Sequence, residues 1–479
     1  MFNKLKEVAP RQRFGTTSFS LYFFHKTGKL MVEGCRMRKW IITGVAVLAA
    51  VIVAGLIMVR PETQAKQLTS ADTAKLWVLS DPHFIAPSLH DEASAFTDIK
   101  KSAAGKDMDY QPQTVAAFVR AAVKQRPTAV VITGDVTFNG ALTSAKSLAK
   151  RLSPLKKAGV KLLILPGNHD IYDGWARAYQ GKQQVKVAQI SPNDWRDIWS
   201  ESYHDAASED TDSLSYRVNL NAHYQLLCLD SNIYPVQESN RAPNTGGELN
   251  PATLKWLAAQ LKAGQVAHRQ SIVFMHHNLY RHNQAVYQGF VLNNAAALTK
   301  LLDQYHVKVV FSGHIHAQDI SHDPNGQSPI TEIVSGSFAT SPNGYGEVTL
   351  TPKRLTYQRR AVDLAPVLTA TERKNPDLAQ HQQYLKKLFE QDAEGMAFEA
   401  LYEANVPAKK RDAAVDLFGE LNWRFFTGHD NPTPQALAQL KTTSAYQTLH
   451  QNADLRGYVS TILSDHNVSK NQHITIKMD

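Results

Sequence analysis

The strongest constraint on this chain is a series of short apolar runs, each ending in a cluster of metal-binding side chains. Leu76–Leu79 runs into Ser80-Asp81-Pro82-His83, and TAVVIT at 128–133 runs into Gly134-Asp135. VKLLIL at 160–165 leads to Gly167-Asn168-His169-Asp170, and SIVFM at 271–275 to His276-His277. VKVVF at 307–311 leads to Gly313-His314-Ile315-His316. Runs this short and rich in β-branched residues read as buried strands. Helical spacing fills Thr114–Gln125, Leu142–Ala158, Ala252–Ala263 and Asn294–His306, each followed by one of these runs. Helix then buried strand, repeated, argues for an α/β domain with mixed or parallel sheets.

In open α/β sheets, ligands bind where the strands end at their carboxyl side. Within Asp81-x-His83 and His314-x-His316 the paired residues share a face if strand geometry persists. Glycine before Asp135, Asn168 and His314 is expected to let the backbone turn sharply there. A donor set mixing carboxylate, amide and imidazole suits manganese, iron or zinc better than magnesium or calcium.

Taken in order over about residues 76–320, these motifs closely resemble the calcineurin-like metallophosphoesterase pattern D-x-H, G-D, G-N-H-D/E, H, G-H-x-H. The resemblance implies two packed mixed β-sheets flanked by helices, with a dimetal centre at the loops of one edge. It implies that Asp81, His83, Asp135 and His316 hold one divalent ion. Asp135, Asn168, His276 and His314 would hold the other, with Asp135 bridging. Two cations roughly 3.5–4 Å apart can polarise phosphoryl oxygens and acidify a bridging water into an in-line nucleophile. His169 is implied to stabilise developing charge and protonate the leaving oxygen. Asp170 is expected either to orient His169 or to cap a helix, and Asn168 to reach substrate as well as metal.

With a helical C-terminal extension, the motifs look most like bacterial cyclic-nucleotide phosphodiesterases, although Asn278 stands where those enzymes often carry proline. The expected partner is a small phosphoester, a nucleotide first of all. A phosphomonoesterase or nucleotidase and a cell-envelope phosphodiesterase stay open as alternatives. So does a membrane-anchored scaffold with a vestigial hydrolase, which the intact ligand positions disfavour.

Weaker candidates lie nearby. His277 is expected to support a ligand or pack in the core. Asn139 is expected to touch substrate or cap a loop, and Asp230 and Ser231 to sit near the edge or in a turn. His90, His204, His282 and His322 match no motif and are expected at the surface. Cys228, in the strand-like YQLLCLD, reads as a small buried apolar residue.

The remaining segments set the organisation. Residues 1–39 form a basic tail and 40–60 a transmembrane helix, since Trp40–Val59 is twenty residues without a charge. Arg36, Arg38 and Lys39 precede it, favouring a cytoplasmic N-terminus and an exported remainder. A retained anchor is favoured over cleavage near Ala65. Ten basic and two acidic side chains fall in residues 1–60, so nearly all of the formal +9 charge belongs to that segment. The remainder lacks the basic surface that a long nucleic acid requires. Residues 61–75 read as a linker, 76–364 as the catalytic domain, 171–213 as an insertion over its active edge, and 365–479 as an all-helical C-terminal domain.

Overall fold

The structure, a computed structural model, describes residues 66–464 and 471–479. The run Trp40–Val59 lies outside these residues. Among the described residues no helix is long and apolar enough to cross a membrane.

Strands β1 (Ala74–Leu79), β2 (Ala129–Thr133) and β3 (Lys161–Leu165) form a parallel set. The next strands are β4 (Arg177–Gln180), β5 (Gln183–Lys186), β6 (Ala206–Glu209), β7 (Tyr216–Asn219), β8 (Tyr224–Cys228), β9 (Gln270–Phe274) and β10 (Val309–Ser312). Then follow β11 (Asp319–His322), β12 (Thr331–Val334), β13 (Gly344–Thr351), β14 (Arg354–Ala361) and β15 (His473–Lys477). The first large sheet has the order β15-β14-β13-β1-β2-β3 and the second β11-β12-β10-β9-β8-β7-β6, while β4 and β5 pair as a separate two-stranded sheet. Both large sheets are mixed, because antiparallel strands flank a parallel core in each.

Strand alternation explains how the sheets pack. Leu76, Val78 and Val131 of the first sheet share one buried cluster with Ile272, Phe274, Val309 and Phe311 of the second. Their alternate neighbours Trp77, Leu79, Val130 and Ile132 turn outward, under helices Gln111–Gln125 and Leu142–Lys157. Val273 and Val310 do the same under helices Pro251–Val266 and Ala295–Gln304. With both faces covered, the central positions of β1, β2, β3, β9 and β10 are apolar, which is why the sequence reads as continuous runs instead of alternation.

Several boundaries differ from expectation. The linker's described part is tacked down, since Leu68 and Thr69 donate to Asn219 and Leu220 carbonyls at 2.9 and 3.0 Å. The C-terminal region is not all-helical: after helices His381–Glu403 and Ala408–Thr427, β15 returns to pair with β14. Five alternating residues with a half-exposed pattern at the chain's end were too short a signal to separate from a loop. Only the start of 171–213 lies at the site. Trp195 and Trp199 are buried in the core beneath helix Leu142–Lys157, and β6 forms an edge of the second sheet.

The C-terminal helices also brace the edge. Phe418 and Phe425 pack in one cluster with Ile315 and Ala317, which flank His316, and Gln318 N donates to Phe426 O at 3.0 Å.

Candidate metal centre

Beyond β1 and β2 the parallel ladder continues, with Asp81 N donating to Gly134 O at 3.1 Å and His83 N to Asp135 O at 2.9 Å. The second sheet is tied similarly, Gly313 N donating to His276 O at 3.0 Å. The ends of β1, β2, β3, β9 and β10 thus converge on one edge. Asp81, His83, Asp135, His314 and His316 all adopt positive φ, between 41° and 67°. Non-glycine residues avoid that region, and such strain collects where function requires a side chain to be aimed. The glycines serve two purposes. Gly134 has a φ of 99°, as a sharp turn requires, whereas Gly167 is needed for close approach: a Cβ there would fall 2.1 Å from Asp135 N.

Two donor groups result. Asp81, His83, Asp135 and His316 form one and Asp135, His276 and His314 the other, each with ligand atoms within 4.8 Å of one another. Asp135 belongs to both. Its Oδ2 lies 3.6 Å from His83 Nε2 and its Oδ1 3.4 Å from His276 Nε2. Asn168 joins the second group, with Oδ1 3.2 Å from His276 Nε2.

The hydrogen bonds choose which imidazole nitrogens face inward. His276 Nδ1 donates to Thr133 O at 2.9 Å, leaving Nε2 for the site. His314 Nε2 donates to Thr245 O and Gly289 O, both at 2.9 Å, leaving Nδ1. Partners of this kind fix a metal-binding imidazole and its tautomer.

The interior of the site is short of internal partners. No donor is aligned on buried Asp81 Oδ1, although His316 Nε2 lies 3.4 Å away, and Asn168 Nδ2 is also unpaired. His83 Nε2 and His316 Nε2 face each other at 2.9 Å. Buried polar atoms left this way are costly unless something outside the chain satisfies them. Two divalent cations fit that requirement and this mixed donor set.

Electrostatics agree. Burial pushes His83 and His316 down, helped by the nearby Lys106 ammonium, and burial with His276 lowers His314 to about 4. Those three imidazoles are neutral, as a cation needs, whereas His276 is pushed up to about 9 against its burial, by Asp135 first, so a cation bound there would have to displace its proton. Burial alone would raise the Asp135 carboxyl, but His276, His169 and His83 outweigh it and hold it well below the usual range.

His169 lies at the mouth, its side chain 22% exposed and its ring centroid 5.4 Å from that of His83. Its orienting partner is not Asp170. Asp170 is buried and accepts from Gly167 N, Val136 N, Thr137 N and Thr137 Oγ1 at 2.8–3.1 Å, tying two site loops together. Asp173 Oδ2 instead faces His169 Nδ1 at 3.2 Å. The immediate neighbour drew attention in the sequence, whereas the turn brings the fourth residue back.

Other expectations resolve as follows. Asn139 is 2% exposed and donates to Arg177 O and Tyr179 OH at 3.3 Å, a loop tie instead of a substrate contact. His277 is buried, with Nδ1 2.9 Å from Ser231 Oγ and its ring packed 4.5 Å from His314. Asp230 accepts from Asn232 N and Tyr234 OH, as a turn residue does. His204 is exposed, but His90 and His322 are half-buried, and the His282 side chain is fully buried between Asp319 and Glu332. Cys228 is buried and its thiol is pushed up to about 12. Lys106 was not legible as a site residue. It sits in a loop whose core contacts, not its sequence, bring the ammonium within the field of Asp135 and Asp81.

A family profile described as calcineurin-like phosphoesterase matches residues 74–318. The chain belongs to that family. A second profile, described as the C-terminal domain of cyclic nucleotide phosphodiesterase, matches residues 363–469 of this phosphoesterase. A "Probable cyclic nucleotide phosphodiesterase" of Vesicomyosocius okutanii subsp. Calyptogena okutanii is 26% identical over 188 residues, 39% of this chain and 61% of the relative. The "3',5'-cyclic adenosine monophosphate phosphodiesterase CpdA" of Vibrio vulnificus is 24% identical over 193 residues, 40% of this chain and 55% of the relative. The chain therefore spans less than two thirds of either relative's length. A dimetal phosphatase from Danio rerio is 14% identical, with a TM-score of 0.45, over 60% of this chain and 96% of that one.

Proposed function

We propose that this phosphoesterase is a dimetal-dependent phosphodiesterase acting on cyclic nucleotides. The observation that carries the reaction class is a buried carboxylate, Asp135, shared by two donor groups, with a half-open histidine beside them. The cyclic-nucleotide part is supported by the printed names of the relatives and by the second profile over 363–469.

Asp81, His83, Asp135 and His316 would hold one cation, and Asp135, Asn168, His276 and His314 the other. Bound there, manganese, iron or zinc would supply Lewis-acid polarisation of the phosphoryl oxygens and an acidified water. The chain's own residues do the rest. Thr133, Thr245 and Gly289 carbonyls lock the imidazoles, so the site is organised before substrate arrives. Lys106 adds a positive charge that favours an anionic diester. His169, held by Asp173, gives its Nε2 proton to the leaving oxygen.

We also infer, from the basic flank before Trp40 alone, that residues 66–479 are exported and anchored by the 40–60 segment. An exported site meets 2′,3′-cyclic nucleotides at the cell surface sooner than cytosolic cyclic AMP. The test is a panel of 2′,3′- and 3′,5′-cyclic nucleotides, nucleoside monophosphates and bis-p-nitrophenyl phosphate, assayed on the 66–479 fragment with manganese. Turnover of cyclic diesters above monoesters is expected. Turnover of monoesters alone, or of nothing, would overturn this reading.

A further inference from the structure

Residues 102–110 join helices Ser94–Lys101 and Gln111–Gln125, and they are fixed on two sides. On the strand side, Asp107 N donates to Ala339 O at 2.8 Å, and Ala339 N donates to Asp81 O at 3.3 Å. Gln111 Nε2 donates to His83 O at 2.9 Å. The loop is thereby tied to the backbones of two proposed ligands. On the other side stands helix His381–Glu403. Gly105 has a φ of 70°, and a Cβ there would fall 2.6 Å from Phe389 Cδ2 and 3.2 Å from its Cα. His381 Nε2 of the same helix faces Asp107 Oδ2 at 3.3 Å.

Lys106 stands between these anchors, half-buried. Its Nζ donates to Ala103 O at 3.2 Å, and among the described residues no carboxylate pairs with it. Asp392 of helix His381–Glu403 lies in its field without bonding to it. Holding a lysine partly out of water is costly unless an anion meets it. Its charge reaches the whole site, since His83, His169, His316, Asp81 and Asp135 all feel it. Neutralising the two carboxylates does not explain its place. Two divalent cations already outweigh the charges of Asp81 and Asp135, so a further cation beside them is repelled until an anion arrives.

We propose that Lys106 is a direct ligand of the substrate's phosphoryl oxygens, seated by the C-terminal helix that Gly105 touches, which deepens the phosphodiester reading and rests on it. An ammonium carries three donors, and Ala103 O takes one, leaving two for an incoming anion. Lysine binds phosphate as a point charge on a flexible stem, so it follows the oxygens as the ester is cleaved. The helical region thus contributes to substrate binding without supplying a metal ligand, because Phe389 and His381 hold the loop that carries Lys106.

The test compares wild type, Lys106→Met, Lys106→Arg, Gly105→Ala and the double variant Gly105→Ala with Lys106→Met, all as the full chain loaded with manganese. Affinity for inorganic phosphate is measured by calorimetry, and KM and kcat with bis-p-nitrophenyl phosphate. Lys106→Met should weaken phosphate binding and raise KM by roughly ten-fold, with metal content and thermal midpoint kept. Lys106→Arg should recover part of the loss. Gly105→Ala should weaken phosphate binding too, and the double variant should be no worse than Lys106→Met, because both changes act through one ammonium. Unchanged phosphate affinity in Lys106→Met overturns the proposal, and so does loss of manganese, which would make Lys106 a support of the metal centre. Losses that add in the double variant overturn its seating by the helix. Wild type that cleaves no diester overturns the phosphodiester reading, while the phosphate titration still decides the role of Lys106.

Discussion

Two clusters of buried histidine and carboxylate sit within this fold, and they differ in what they leave unfinished. Around Asp135, backbones are held at positive φ, two imidazole nitrogens face each other, and Asp81 Oδ1 and Asn168 Nδ2 lack partners. Around His282 both imidazole nitrogens are paired. Its Nδ1 donates to Asp319 Oδ2 and its Nε2 to Glu332 Oε2 at 2.9 Å. Glu332 also accepts from Ser312 Oγ, Leu279 N and Tyr280 N at 2.6–2.8 Å. Burial is the same in both; satisfaction is not. A buried cluster that closes on itself is structural, whereas one that stays open awaits a ligand.

The largest expected effect tests the open cluster at its shared residue. Asp135→Ala should lose metal from both positions and reduce turnover by more than about a thousand-fold, beyond the ten- to hundred-fold typical of an outer partner. Elemental analysis beside the assay separates the two losses. His282→Ala should keep full metal content. If Asp135→Ala retained wild-type metal, the contrast between the clusters would collapse.

His169→Asn comes next. It should keep metal and fold, and lose roughly 10²–10⁴-fold in kcat on a nucleotide diester. An alkoxide leaving group requires a proton, whereas p-nitrophenolate is already a stable anion, so the loss on a p-nitrophenyl ester should be smaller. Equal losses on both would assign His169 to charge stabilisation alone.

His282→Ala sharpens the other side. Removing the cation from a closed, buried network leaves two carboxylates uncompensated, which costs about 3–5 kcal/mol of stability. Burial opposes its charge, but Glu332 and Asp319 push His282 up to about 10. A group raised above its unfolded value of 6.5 contributes in full below that value and fades as pH rises through about 10. Urea unfolding should thus show the largest wild-type advantage near pH 6 and a shrinking one towards pH 10. A gap that widens towards pH 10 would show the network is not held by imidazolium.

The two clusters were unequally visible in the sequence. Every proposed ligand could be named because the motifs at the strand ends stand in the order of the family pattern they resemble, and parallel strands bring such ends to one edge. His282 could not be read, since its partners lie 37 and 50 residues away on β11 and β12. Asp173 and Lys106 were missed as individual site residues for a related reason: irregular turns carry no period, so their place at the site follows only from the folded path. The return of β15 depends likewise on a pairing with β14, more than a hundred residues earlier.

The smallest expected effect separates the two aspartates that follow His169, and so asks where the open cluster stops. Asp170 uses both oxygens on four donors from two loops, which makes it part of the closed, structural class despite standing next to Asn168. Asp173 accepts from one backbone amide and faces one imidazole. Asp173→Asn keeps an oxygen for Trp175 N but replaces the charge facing His169 with an amide. The fold should survive, metal should stay bound, and kcat on a nucleotide diester should fall about ten- to hundred-fold, as for other orienting partners. The loss should again be smaller with p-nitrophenolate as leaving group, because Asp173 acts only through His169. Asp170→Asn should lower the thermal midpoint and impair both substrates alike, since one carboxylate oxygen that accepts two backbone amides becomes a donor. If the substrate dependence appeared at Asp170 and not at Asp173, the histidine would be oriented by its neighbour in sequence after all.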